Sequence, residues 1–240
     1  TCALPILIAQ HVAKWLIQKE VHHIHLASRS GKLNPHLLRA IHESDTPIAL
    51  TASTSDVSYT EDCQSLMKTD HLGSRLLGVL HVSGILADGT LQNLSPITFR
   101  RVFAAKIPFL NAMQTASHVH PLLCQALFSS ASALLGSYGQ ANYAAANSVL
   151  DHFARTSEES GIPCLSLQFG AWAGSGMAAQ DKSTAARIER MGMHLLTPET
   201  AIHALRRALG EINGNHHHSV LGVVPFNWSA FSKTAIAEDR

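Results

Sequence analysis

The chain has 240 residues, 46% of them hydrophobic and 15% charged, and 18 Lys+Arg against 17 Asp+Glu leave a formal net charge of +1. That is ample apolar sequence for a packed core, and too little net charge for a disordered tail or a nucleic-acid binder. No apolar run reaches the ~20 residues of a membrane span, and the apolar start lacks the basic leader and cleavage site of a signal peptide.

In chain order, Leu4 to Glu20 predicts a helix, with Ile6, Ala9, Val12, Ala13 and Leu16 on one face and Pro5 tolerated only in its first turn. His22 to Ala27 predicts a strand, followed by the turn Ser28-Arg29-Ser30-Gly31. Pro35 to His42 reads as helix, Pro47 to Ala52 as strand and Ser58 to Lys68 as helix. A strand over Leu76 to Val82 ends at Ser83-Gly84, and one long helix is expected over Pro96 to His118. The close of another strand, Ala126 to Ser130, precedes a helix over Gln140 to Ser157. Cys164 to Phe169 is a strand, Pro198 to Leu209 a helix and Val220 to Val224 a final strand. Helices separating single strands imply an α/β fold, a doubly wound parallel sheet with helices on both faces. One such domain is expected over residues 1–231, with a polar tail or linker over 232–240.

Cys2, Cys63, Cys124 and Cys164 form no CxxC pair and are too sparse for a disulfide framework, which favours reduced thiols and a cytoplasmic setting. His216, His217 and His218 run together, and such a run binds metal when acidic or cysteine partners are near. None is near in sequence, so a solvated loop is the preferred reading and no metal is expected.

In doubly wound sheets, ligands sit beyond the carboxyl ends of the strands. The most informative junction is Leu127-Phe128-Ser129-Ser130-Ala131-Ser132, continuing through Gly139-Gln140-Ala141-Asn142-Tyr143-Ala144-Ala145-Ala146-Asn147. Here a strand delivers hydroxyls to a glycine-bearing loop, and a helix follows. Tyr143 and Asn147 are four apart and share a helix face, with three small residues between them. A phenol with a lowered pKa can protonate an alkoxide formed by carbonyl reduction, and a serine beside it can hydrogen-bond the same oxygen. A tyrosine simply packed on the sheet is the competing reading.

The stretch Phe128 to Phe153 resembles the active-site segment of the ketoreductase domain of type I polyketide synthases, within the short-chain dehydrogenase/reductase superfamily. The resemblance extends to Gly78–Gly89 (GVLHVSGILADG), Arg101–Asn111, Gly170–Ala178 (GAWAGSGMA) and Asn227-Trp228. It implies a Rossmann-like fold and NADPH-dependent reduction of a β-ketoacyl thioester to a β-hydroxyacyl thioester. The implied partners are an acyl carrier protein with its phosphopantetheine-bound acyl chain and the neighbouring synthase domains. The superfamily's Tyr-x-x-x-Lys is here Tyr143-x-x-x-Asn147, as in these ketoreductases, with the lysine supplied by an earlier helix.

The roles carried over are proton donor for Tyr143, oxygen-holding hydroxyl for Ser130, pKa-lowering and ribose-binding cation for Lys106, and water anchor for Asn147. Ser28, Arg29 and Ser30 would take the ribose 2′-phosphate. Ser83, Gly84, Gly170 and Ala171 would line the nicotinamide side, and Met177 would open the substrate lid. Asp88, in Leu86-Ala87-Asp88, together with Leu135 in place of a tryptophan, implies the D-configured (B-type) alcohol. Without the resemblance, Lys106 would read as a surface lysine and Arg29 as an ordinary loop charge.

Two departures qualify the match. Cys2 and Pro5 stand where the family's later turn glycines belong, and the first strand and most of the glycine-rich turn are missing from the chain. Ser53 stands where an aspartate usually meets the adenine region. Three readings follow: a truncated domain boundary, a ketoreductase with weak NADPH binding, and a non-catalytic structural remnant within a synthase. A free-standing reductase of lipid metabolism is disfavoured, because that group keeps Tyr-x-x-x-Lys.

Overall fold

A computed structural model describes residues 4–68, 76–119, 122–174, 182–211 and 218–238. Helix α1 (Leu4–Gln18) opens it, with Pro5 in the first turn, followed by β1 (His23–Ser28), α2 (Pro35–His42), β2 (Ala49–Thr54), α3 (Thr60–Met67) and β3 (Gly78–His81). Then come α4 (Pro96–Ala104), α5 (Ile107–Val119), β4 (Cys124–Ser130), α6 (Ser132–Leu135), α7 (Ala141–Glu159) and β5 (Cys164–Phe169). The chain closes with α8 (Lys182–Arg190), α9 (Pro198–Glu211), β6 (Val220–Val223) and α10 (Trp228–Glu238). The boundary expected at residue 231 falls inside α10.

The start signals are chemical. Asn34 accepts the His36 amide at 2.8 Å ahead of Pro35, and Ser95 and Thr98 form a reciprocal capping box ahead of Pro96. Among the described residues every pairing between these strands is parallel: β1 with β2, and separately β3-β4-β5-β6 in that order, with one isolated antiparallel bridge, Met193–Phe226, outside them. The architecture is Rossmann-like, with its sheet in two pieces. Among the described residues β1 and β3 do not pair with each other.

Strand alternation divides the larger sheet between two cores. Leu127 joins Phe109, Met113, Leu150 and Ala154 on one face, whereas Ala126 and Phe128 join Leu165, Leu167, Phe169 and Leu205 on the other. α1 serves both sheet pieces: Val12 belongs to the Ala126 cluster, and Ala13 and Ile17 pack with Ile24 and Leu37.

One expected element is corrected. The single helix over 96–118 is two helices, broken at Ala105 and Lys106. Pro108 is the cause: it has no N–H for the Ala104 carbonyl, and its ring crowds that carbonyl in a continuous helix. At the second position of a new helix the same proline is well placed. Strand and helix limits otherwise shift by one or two residues, apart from the longer tail of β4 upstream of Ala126.

Leu127 is fully buried in the middle strand pair, so Leu127→Ala is expected to lower unfolding stability by about 2–5 kcal/mol in urea titrations.

Candidate active site

The carboxyl ends of β3 and β4, the start of α7 and the break between α4 and α5 meet in one place. Ser130 ends β4, and its Oγ accepts from the Ser132 amide at 3.2 Å and the Ser132 hydroxyl at 2.9 Å. Neither contact uses the Ser130 hydrogen, and both strengthen it as a donor through cooperative polarisation. The sequence pattern displays Ser132 without a role; the structure makes it the group that orients Ser130.

On α7, Tyr143 is half-buried and Asn147 fully buried. The Asn147 amide donates to the Tyr143 carbonyl at 2.9 Å, so the pair does share a helix face. Its Oδ1 is buried with no partner, as suits a group that takes a water or ligand donor. The Ser129 hydroxyl ties β4 to the same turn by donating to the Asn147 carbonyl at 3.4 Å. Asn142 binds this helix start to the β3 loop: its amide donates to the Ala87 carbonyl at 2.8 Å, and its oxygen accepts the Tyr143 amide.

Lys106 is 1% exposed, the reverse of a surface lysine. It sits in the proline-imposed break, and its Nζ donates to the Ser83 carbonyl at 2.7 Å. A Cβ built on Gly84 would lie 3.9 Å from Lys106 Nζ and 4.0 Å from Tyr143 Cε2, ordinary contact distances, so both groups face Gly84. Burial pushes the Lys106 pKa down to about 7, against the pull of Asp151 in the other direction.

Two further groups were not anticipated. His81, in the Gly78–Gly89 segment, is buried and stacks on Phe109 with centroids 4.3 Å apart. Burial and the charge of Lys106 hold its pKa well below the usual value, while a hydrogen bond to the Ala105 backbone works the other way. Asp151 is 3% exposed and lies four residues beyond Asn147 on the same helix stripe. That spacing was a signal in the sequence, but nothing there said which face of α7 meets the sheet.

The residues expected to hold a dinucleotide fall in two groups. Ser83 and Gly84 lie beside Lys106 and Tyr143, and the register of Ser130 with Phe169 places Gly170 and Ala171 at the neighbouring strand end. The Gly170 amide and Ala171 carbonyl are engaged by Val223 and Leu196, so that strand end is rigidly stitched. Ser28, Arg29 and Ser30 lie at the end of β1 in the other sheet piece. There the Ser28 Oγ accepts the Gly31 amide at 3.1 Å, and Arg29 and Ser30 are exposed. Gly31 has φ +62°, and a Cβ there would meet Thr54 Oγ1, so the loop is pressed onto the end of β2. Ser53 is bonded to His25 at 2.9 Å and Ser55 at 3.3 Å.

The exposed Arg29 guanidinium and Ser30 hydroxyl, next to Ser28, suit a phosphate, and Gly84, facing Lys106 and Tyr143, suits the approach of a flat ring. The donor set therefore fits a nicotinamide dinucleotide with a ribose phosphate. Pro5 removes one N–H from the first turn of α1, where such a ligand's pyrophosphate would be received.

Asp88 is exposed and accepts from Gln140 at 2.9 Å, while Leu135 is 37% exposed on α6. Met177, Cys2, His216 and His217 lie outside the described residues, and His218 is exposed. Cys63, Cys124 and Cys164 are free thiols, pushed up to about 11, 11 and 12 by burial. No helix among the described residues is long and apolar enough to cross a membrane.

Comparison with known proteins bears on the family. Residues 7–174 match the family model of the KR domain. The polyketide synthase GfsA of Streptomyces halstedii is 36% identical over 204 residues, 84% of this chain and 3% of that protein. GfsB of the same organism is 32% identical over 228 residues, 94% of this chain and 4% of that protein. Among solved structures, A-type ketoreductases from a modular polyketide synthase match with TM-score 0.83 and 26% identity over 96% of this chain and 48% of that one. The ketoreductase from the first module of phoslactomycin biosynthesis in Streptomyces sp. HK803 matches with TM-score 0.83 and 27% identity, covering 96% of this chain and 52% of that one. The chain thus spans a few per cent of those synthases and about half of those solved ketoreductases.

The buried Lys106 has a consequence for stability. With its folded pKa at about 7 and the usual lysine value at 10.5, the unfolded chain binds more protons between those limits. Stability from this group therefore rises as pH climbs through that window. Urea titrations from about pH 6 to about pH 10 are expected to show the rise, and Lys106→Met to flatten it.

Proposed function

The chain belongs to the KR domain family, and from that premise we propose that it reduces a β-ketoacyl thioester to a β-hydroxyacyl thioester with NADPH. The thioester would be carried on the phosphopantetheine arm of an acyl carrier protein, beside neighbouring synthase domains in the cytoplasm. The observation that carries this reading is the buried Lys106 ammonium, which faces Gly84 together with Tyr143.

When bound, NADPH supplies a hydride to the ketone carbon. Arg29, with Ser28 and Ser30, would hold its ribose phosphate; Ser83, Gly84, Gly170 and Ala171 would line the nicotinamide end. Ser130 donates its hydroxyl hydrogen to the ketone oxygen, oriented by the two bonds it accepts from Ser132. Tyr143 donates the phenolic proton to that oxygen as negative charge develops there. Lys106, as a cation, favours the phenolate left behind and so makes Tyr143 the stronger acid. Its other ammonium hydrogens, beyond the one given to Ser83, are suited to ribose hydroxyls. Asn147 would anchor the water that returns a proton to Tyr143, through its unpartnered Oδ1.

Asp88 and Leu135 support the D-configured product, with Asp88 held at the loop by Gln140. The likeness of fold to A-type ketoreductases does not decide the point, since stereocontrol rests on side chains at the entrance and not on the sheet.

Tyr143→Phe is expected to lower turnover at least ~100-fold while leaving NADPH affinity, read by fluorescence titration, unchanged. The readout is NADPH oxidation with a decalone or an acetoacetyl thioester; unaltered turnover in the variant would remove Tyr143 as proton donor. Failure of a chain extended upstream of Thr1 to bind NADPH would favour a non-catalytic place in a synthase. Chiral analysis of the reduced thioester is expected to give the D-hydroxyl, and an L-configured product would overturn the roles given to Asp88 and Leu135.

A further inference from the structure

The stripe of α7 that carries Tyr143 and Asn147 continues, four residues on, to Asp151, which is 3% exposed. A carboxylate that deep needs partners on both oxygens. It has them: Oδ1 accepts the Ser166 hydroxyl and Oδ2 the Gln168 amide, each at 2.7 Å. Both donors are neutral and both come from β5, so they fix the carboxylate without cancelling its charge. No ion pair among the described residues includes Asp151.

Lys106 is a second buried charge, of opposite sign, in the same layer. The register of the sheet sets their separation. His81 on β3, Leu127 on β4 and Ser166 on β5 are lateral neighbours, and Ser129 pairs with Gln168 one step further along. Lys106 Nζ is bonded to the carbonyl of Ser83, just past β3, and Asp151 is bonded to β5. Two strand spacings, roughly 10 Å, therefore lie between them, filled by Leu127, Ser129 and the slim turn of α7. Both groups are nearly fully buried, so the interaction is less screened than one between surface charges.

We propose that Asp151 is a positioning residue for the reduction, a carboxylate clamped by β5 that keeps Lys106 in its cationic form across the buried layer. The proposal rests on the reading of Lys106 as the cation that acts on Tyr143. The other groups facing Lys106 do not supply this. Tyr143, from α7, gains acidity from the lysine, and His81, from β3, is kept neutral by burial and by Lys106 itself. Arg100 and Arg101 of α4 are exposed. Asp151 is the group whose charge favours protonated Lys106 against the effect of burial.

The test follows Lys106 directly in the 240-residue chain, by NMR titration of 13Cε-labelled lysine, with Lys106→Met identifying the signal. Asp151→Asn preserves shape and one acceptor oxygen, which can take the Gln168 amide while the Ser166 hydroxyl turns to accept from the new NH2, and it is expected to move the Lys106 midpoint down by about a unit, a tenfold change in its protonation constant. Asp151→Glu is expected to restore most of the shift. An unmoved midpoint in Asp151→Asn overturns the proposal. If that variant does not fold, the proposal requires the double variant with Lys106→Met to fold, since no buried cation then lacks its counter-charge; a double variant still unfolded also overturns it. In the reductase assay, the alkaline limb of kcat/KM is expected to move down with the midpoint, and a limb that stays put while the midpoint moves overturns the catalytic part. Absence of reductase activity in a chain extended upstream of Thr1 that binds NADPH would instead sink the reductase reading, leaving the midpoint to decide the pairing.

Discussion

Lys106 has 1% of its surface exposed, so the fold has to stabilise an ammonium without bulk water. Much of the surrounding structure answers that demand. Pro108 interrupts what would be one continuous helix and places Lys106 in the gap. The end of β3 then presents the Ser83 carbonyl to its Nζ, and His81 anchors to the backbone at Ala105, one residue earlier. The break is a local loss of helical hydrogen bonding, offset by a site that no unbroken helix could offer.

The same layer depends on α7. Its start is fixed to the β3 loop through Asn142 and to β4 through Ser129, so the tyrosine-bearing turn does not move independently of the lysine-bearing break. Small residues, Ala144 to Ala146, let the helix lie close to the sheet, while Asn147 and Asp151 carry its polar stripe inward. Buried polar groups of this density are tolerated because most are bonded, and Asn147 Oδ1, one of several exceptions with His81 Nε2 and Gln125 Oε1, is the one on the tyrosine-bearing stripe, where a ligand or water suits it.

The phosphate end is built with different means. Ser28 to Gly31 is held by its own turn and by β2, in a sheet piece joined to the rest through the packing of α1. Its charge is exposed, as suits a group that meets a ligand arriving from water. Lys106, Tyr143, Ser130 and Asn147 thus lie around the ends of β3 and β4, and Arg29 lies on the separate β1–β2 pair.

The amino-acid sequence alone determined the order and kind of all six strands and most of the helices, though not α6, α8 or α10, because hydrophobic period, Pro35, Pro96 and the cap residues are local signals. Its active-site segment also placed Ser130, Tyr143, Lys106 and Asn147 by spacing and resemblance. The break at Lys106 was legible too, in Pro108, but the apolar pattern running through it argued for continuity. Only the tertiary structure decided that Lys106 is buried, that Ser132 orients Ser130, and that Asp151 and His81 share its surroundings. The reason is that helix periodicity fixes which side chains share a face, whereas which face meets the sheet, and how far a charge lies from water, depend on residues distant in the chain. Electrostatics at a buried site belongs to that second kind of information.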